Sequence, residues 1–181
     1  MPKSVVEQRA GDEGYHPQVI VLVAALAGGW VLLLLAAPVL PAWAGAIVYG
    51  FGSSICHQIP ERSFHLADFQ LPVCARCFGI YIGASAGAAD AWMRTTTSHR
   101  TVSRAPWVSW RLAILAACPT LLTVALEAAG AWYPSNLTRA LAGGPLGVLA
   151  GLVVVGALAT LHYDECAPPR PTAPKPPQRF I

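Results

Sequence analysis

The sequence predicts an all-α integral membrane protein with about four transmembrane helices and a short interfacial or re-entrant helix. Hydrophobic residues make up 55% of the chain and charged residues only 12%, whereas a water-soluble chain carries about 25% charged residues. Four apolar stretches approach or exceed the ~20 residues that cross the hydrocarbon of a bilayer. Basic residues are segregated into alternate connections between those stretches. At 181 residues, one compact domain is expected. The formal charge of +3 is spread over loops and tails without a basic stripe, so nucleic acid is not an expected partner. The partner implied by composition is the lipid bilayer, and protein partners stay open.

The first span, residues 18–40, contains no charged residue. The second, 73–92, is less hydrophobic and rich in Gly and Ala. The third, 110–130, contains Pro119 and one acid, Glu127. The fourth, 141–161, is interrupted early by Gly143, Gly144 and Pro145. Residues 42–56 are apolar but too short to cross, which gives the interfacial or re-entrant helix, set off from the first span by Pro38 and Pro41. Ala42-Trp43-Ala44 resembles a signal-peptide cleavage site. The long apolar region and the preceding Glu7, Asp12 and Glu13 favour an uncleaved helix instead.

Gly79, Gly83 and Gly87 in the second span recur every four residues, as do Gly143, Gly147 and Gly151 in the fourth. Each set leaves a strip without side chains along one helix face. In lipid, where little hydrophobic drive acts between helices, such strips are expected to line close helix contacts.

Orientation follows from the Lys and Arg residues. Lys3, Arg9, Arg94, Arg100, Arg104, Arg111, Arg170, Lys175 and Arg179 fall on one side of the expected topology. Arg62, Arg76 and Arg139 complete the twelve on the other. Both termini are therefore expected in the cytoplasm. Residues 1–17 form an N-terminal tail, 18–162 the bundle with an extracytoplasmic Cys/His segment at 53–77, and 163–181 a Pro-rich, extended cytoplasmic tail.

That Cys/His segment carries the candidate chemistry. Cys56, His57, His65, Cys74 and Cys77 cluster between the first two spans. Pro72 is expected near a first-turn position, which places Cys74 and Cys77 on one face of the opening helical turn. Backbone N–H groups and the positive end of the helix dipole then favour thiolate, and Arg76 and Arg62 add positive charge.

The runs ICHQIPERSF and LPVCARCFGIYIG resemble the signature of an uncharacterised prokaryotic membrane-protein family, a domain of unknown function. Residues 136–143, NLTRALAG, are similar to that family's Asn-x-x-Arg-x-x-(Ser/Thr)-Gly segment, with Ala142 in place of a hydroxyl residue. The resemblance covers most of residues 45–160 and implies a multi-pass protein of the prokaryotic inner membrane. It implies no established activity.

Three readings of the cysteines follow. The leading one is a metal site of Cys56, His57, Cys74 and Cys77, with His65 as a substitute or added ligand. Thiolate and imidazole suit zinc, and soft ligands also admit Cu(I). Adjacent Cys56 and His57 can both ligate if the chain turns there. The second reading is thiol–disulfide exchange by Cys74 and Cys77 with Cys56 as a shuttle, similar to the quinone-linked disulfide-forming membrane oxidoreductases, with quinone as cofactor. Those enzymes use two exposed cysteine pairs, whereas Cys118 falls in the third span and Cys166 just past the fourth. The third reading is a non-catalytic membrane component whose cysteines fasten the loop. Glu127, an intramembrane acid, needs a partner, for which Arg139 or Arg76 is available. Together with Arg62 and Asn136 these residues are expected close behind the ligands.

Overall fold

The computed structural model describes residues 17–66, 68–97 and 110–166. Most of both expected tails (residues 1–16 and 167–181), and the basic residues Lys3, Arg9, Arg100, Arg104, Arg170, Lys175 and Arg179, lie outside the described residues. In order, the elements are α1 (Pro17–Ala36), α2 (Ala42–Ile55), β1 (Ser63–Leu66), β2 (Phe69–Cys74), α3 (Ala75–Thr97), α4 (Trp110–Ala128) and α5 (Asn136–Cys166). Short 3-10 turns at Ala37–Val39 and Pro60–Arg62 lead out of α1 and into β1. The fourth helix therefore continues through Cys166, beyond the point where the tail was expected to begin.

Among the described residues, three helices are long and apolar enough to cross a membrane: Gln18–Val39, Trp110–Ala128 and Asn136–Leu158. The expected fourth, α3, has 23 residues but is not among them. The reason lies in its surroundings. Helix α3 packs along α5 and against α1, so much of its surface meets protein, and small residues serve that contact better than bulky apolar ones. Helices α1 and α4, by contrast, leave Leu22, Leu26, Leu32, Ile114, Leu115 and Leu121 exposed. Helical backbone groups bond within their own segment, which is the requirement for crossing lipid, except opposite Pro119 in α4 and Pro145 in α5, which carry no N–H.

The contact between α3 and α5 is set by the two glycine strips. A Cβ at Gly79, Gly83 or Gly87 would meet the carbonyl oxygen of Ala140, Gly144 or Val148 at 2.0, 2.2 or 2.3 Å. In return, a Cβ at Gly143, Gly147 or Gly151 would meet the carbonyl of Arg76, Ile80 or Ala84 at 2.5, 2.0 or 2.3 Å. Residue numbers rise together in both helices, so α3 and α5 run parallel. Each strip lies against the neighbour's backbone beside the opposing glycines, not on them, and the strips interlock instead of facing each other.

Helix α1 runs antiparallel to α3. Ile20 packs with Ala88, Ala91 and Val155 at one end, and Leu34 with Phe78 at the other. Trp30 stands edge-on to Phe51 of α2 and Tyr81 of α3, with ring centroids 5.2 and 6.1 Å apart. Trp30 thus ties three helices together inside the bundle. Helix α2 buries Gly45, Val48 and Gly52 and leaves Trp43, Ile47, Phe51 and Ile55 exposed along the opposite face.

The all-α expectation is also corrected by a hairpin. Strands β1 and β2 pair antiparallel, with His65 opposite Gln70, Leu66 opposite Phe69 and Ser63 opposite Cys74. Asp68 turns the chain in the left-handed region at φ 68°. Pro72 lies in β2, not in the first turn of the following helix. A two-stranded ribbon has two edges, where a residue lacking N–H is tolerated.

Interlocked glycines give a direct prediction. Gly83→Leu and Gly147→Leu should each lower thermal stability in detergent by about 1–3 kcal/mol, the usual cost of overpacking. Gly29→Ala, where a Cβ has nothing within 4 Å, should be neutral or slightly stabilising by helix propensity. Equal melting temperatures for all three variants would refute the interlock.

Candidate functional site

The site forms where α2, the hairpin and α3 meet at the end of the bundle that holds the α5 N-terminus. Helix α2 stops at Ile55, and Cys56 is extended, at φ −146° and ψ 140°. Gln58 then adopts a left-handed conformation at φ 49°. The chain therefore turns at the Cys-His pair, as dual use of those residues requires. The turn is held by amides: Gln58 Nε2 donates to the carbonyls of Tyr49 at 2.9 Å and Pro72 at 2.7 Å, and Gln70 Nε2 donates to Gln58 O at 2.6 Å. Tyr49 Oη donates to Gln70 O. Gly52 is needed for this closeness, because a Cβ there would lie 2.3 Å from Pro72 O.

These contacts swing Cys56 back against the end of β2. Its Sγ accepts the Cys74 N–H at 3.1 Å. The ligand atoms of Cys56, Cys74 and Cys77 all lie within 4.8 Å of one another. Cys74 immediately precedes α3, which corrects its expected placement inside the first turn, while Cys77, the helix's third residue, does lie in that turn. The pair resembles an N-cap and its N3 partner. The Cys74 thiol is lowered to about 5, chiefly by the side-chain hydrogen bond from Cys77. Burial opposes that shift, while the Cys77 N–H, the Cys56 thiol and the Arg76 N–H reinforce it. These surroundings favour the thiolate form of Cys74 over the thiol.

His57 is exposed and lines the same cavity as the three cysteines, outside the converging sulfur group. His65 is exposed on β1 opposite Gln70. Cys118 is exposed on α4. The cavity has a volume of about 160 Å³, and its lining includes Cys56, Cys74, Cys77, Arg62, Arg76 and Arg139.

Behind the thiols stands a charge cluster centred on Glu127. Arg139 Nη2 lies 2.8 Å from Oε1, Arg62 Nε 3.0 Å from Oε1, and Arg76 Nη2 3.2 Å from Oε2. The sequence offered Arg139 or Arg76 as the partner of this acid, and the structure gives it both together with Arg62. Arg139 Nη1 also donates to Asn136 Oδ1 at 2.9 Å, and Asn136 Nδ2 donates to Ser63 O at 2.8 Å. Because Ser63 pairs with Cys74, the first turn of α5 is tied to the hairpin beside the cysteines. Ala142, where a hydroxyl residue was expected, contributes its carbonyl to Thr120 Oγ1 at 2.7 Å. Sequence reasoning quoted Gln58 without a role and passed over Tyr49 and Gln70. The available signal was two amide side chains in an otherwise apolar setting.

A family model described as a predicted membrane protein (DUF2085) matches residues 56–153, more than half of the chain. An uncharacterised protein of Methanocaldococcus jannaschii is 52% identical over 40 residues, which are 22% of this chain and 26% of that protein. An uncharacterised protein of Methanothermobacter thermautotrophicus is 57% identical over 30 residues, 17% of this chain and 27% of that protein. The matched segments thus span about a quarter of each relative's length. No solved structure matches the chain.

The cluster makes unequal demands on its members. The Glu127 side chain is 5% exposed and that of Arg62 43%. Glu127→Gln leaves buried guanidinium charge without its counter-ion and should cost about 3–5 kcal/mol. Arg62→Gln removes a half-exposed partner and should cost about 1 kcal/mol or less. Thermal melting in detergent separates the two, and similar losses would contradict a cluster organised around Glu127.

Proposed function

The chain belongs to the DUF2085 family of predicted membrane proteins, and from that premise we propose that it binds a zinc-like metal ion through Cys56, Cys74 and Cys77 at the extracytoplasmic face of the membrane. The observation that carries this reading is the convergence of three sulfurs to within 4.8 Å. Thiolates bound to one ion at about 2.3 Å each stand roughly 3.8 Å apart in tetrahedral geometry, so small side-chain rotations suffice. The lowered Cys74 thiol supplies the deprotonated ligand that metal binding requires. His57 borders the cavity outside the sulfur group and is the candidate fourth ligand in the absence of an external one, which can displace it.

A second reading draws on the same lowered thiol. Cys74 and Cys77 form a disulfide, giving up two electrons and two protons to a quinone, with Cys56 as the exchanging thiol. Metal analysis of the purified protein distinguishes the readings. About one ion per chain is expected, lost in Cys77→Ser and kept in Cys118→Ser, whose sulfur is exposed on α4. A metal-free protein with a reducible Cys74–Cys77 bond would favour exchange. Unchanged metal content and redox state in Cys77→Ser would leave a fastening role.

The proposed topology has four crossings, with α3 as the one sheltered among the others. Reporter fusions after Ser98 and Ile181 are expected to behave as cytoplasmic, and one after Phe69 as extracytoplasmic. The reverse pattern would move the cysteines to the reducing side of the membrane.

A further inference from the structure

We propose that the cavity between the three thiols and the three arginines is an oxyanion-binding subsite, taking a phosphate group. Arg62, Arg76 and Arg139 bring three positive charges to one spot, and Glu127 returns one negative charge. All three arginines line the cavity that the cysteines line. The Nε–H groups of Arg76 and Arg139 are buried and have no acceptor among the described residues. Arg139 is 7% exposed, so its unused donor has little access to bulk water. Buried guanidinium donors of this kind match the oxygens of phosphate, which they can bind in forked geometry.

In its role the subsite rests on the metal reading, whereas its charge does not. Three thiolates around a divalent ion carry a net single negative charge. Added to the arginine cluster, they still leave one positive charge uncompensated. A monoanionic oxyanion balances that charge and also fills the coordination position that three sulfurs leave open on a tetrahedral ion. Without metal the arginine cluster keeps its own excess of positive charge, and the attraction persists. A free phosphate ion and the phosphodiester of a lipid headgroup share this chemistry, and the site lies at the end of a membrane bundle where both are within reach.

The test uses the full chain purified in a phosphate-free maltoside detergent, with metal content measured on every sample. Inorganic phosphate and a soluble short-chain phosphatidylglycerol are titrated separately, with phosphorus NMR and calorimetry as readouts. Saturable binding is expected, weakened about tenfold by Arg62→Gln, the equivalent of one charge-assisted contact. Arg62→Gln is chosen because that side chain is half-exposed and the protein should retain its fold. Binding of inorganic phosphate identifies a free oxyanion site, and binding of phosphatidylglycerol alone identifies a headgroup site. No saturable binding of either, or equal affinity in Arg62→Gln, overturns the proposal. Phosphate binding by a protein that never loads metal would retain the subsite and defeat the metal reading. Metal loading without phosphate binding would do the reverse.

Discussion

One carboxylate organises this end of the molecule. Glu127 closes α4, where Gly130 at φ 67° ends the helix and the Gly130 and Ala131 N–H groups bond back to the Glu127 and Leu126 carbonyls. Arg76 and Arg139 each lie in the first turn of a helix, and Arg62 leads into the hairpin. Every one of the helical charges is at the unfavourable end of its own dipole: an acid near a C-terminus, bases near N-termini. Local helix stability would discard all three. Their persistence depends on pairing with one another, so four elements that share no sequence neighbourhood are fixed at one point. A buried cluster of this kind is weak evidence for gain in stability, because desolvation offsets much of the attraction. It is better understood as fixing a geometry.

What that geometry supports is the approach of Cys56 to Cys74. Asn136 reaches from α5 to the carbonyl of Ser63, whose partner across the hairpin is Cys74. From the other side, Gln58 clasps Tyr49 and Pro72. Cys56 is thereby buried among Leu34, Val48, Leu71, Val73 and Phe78, in an apolar cluster continuous with the bundle core. Thiolate charge beside such a cluster would be costly without compensation. The helix N-terminus and the arginines behind it provide that compensation, which accounts for finding the sulfurs and the guanidinium groups around a single cavity.

The membrane character, the helix order and the glycine strips were legible in the sequence because each rests on a repeating constraint. Crossing lipid requires long apolar runs, and close backbone contact requires small residues every four positions. The lower hydropathy of α3 was visible too, but its sheltered place between α1 and α5 was not. The hairpin escaped notice for a physical reason. Strands as short as Ser63–Leu66 and Phe69–Cys74 show too few alternations to establish a period, and Pro72 before a helical run reads as a helix start. The gathering of Cys56, Cys74 and Cys77 was anticipated from their residue types, whereas the turn that permits it depends on the backbone of Gln58, whose left-handed conformation no side-chain pattern announces. All three basic residues assigned to the outer side prove to be the three that meet Glu127. Their departure from the charge bias thus has a local cause in the ion pairs with Glu127.

The form of the sulfur group also bears on the proposed chemistry. Structural zinc sites enclose the ion with four protein ligands, whereas sites that act on a further molecule keep one position for it. Here three sulfurs converge, His57 stands exposed at the rim, and the adjoining cavity is lined by positive charge. A site meant only to fasten the hairpin to α3 would need neither the cavity nor more guanidinium groups than its carboxylate can neutralise. The hairpin is in any case already held by amide and tyrosine contacts that involve no sulfur. On the proposed reading, therefore, the metal is an attachment point for an anion beyond the protein, and the arginines select which anion that can be.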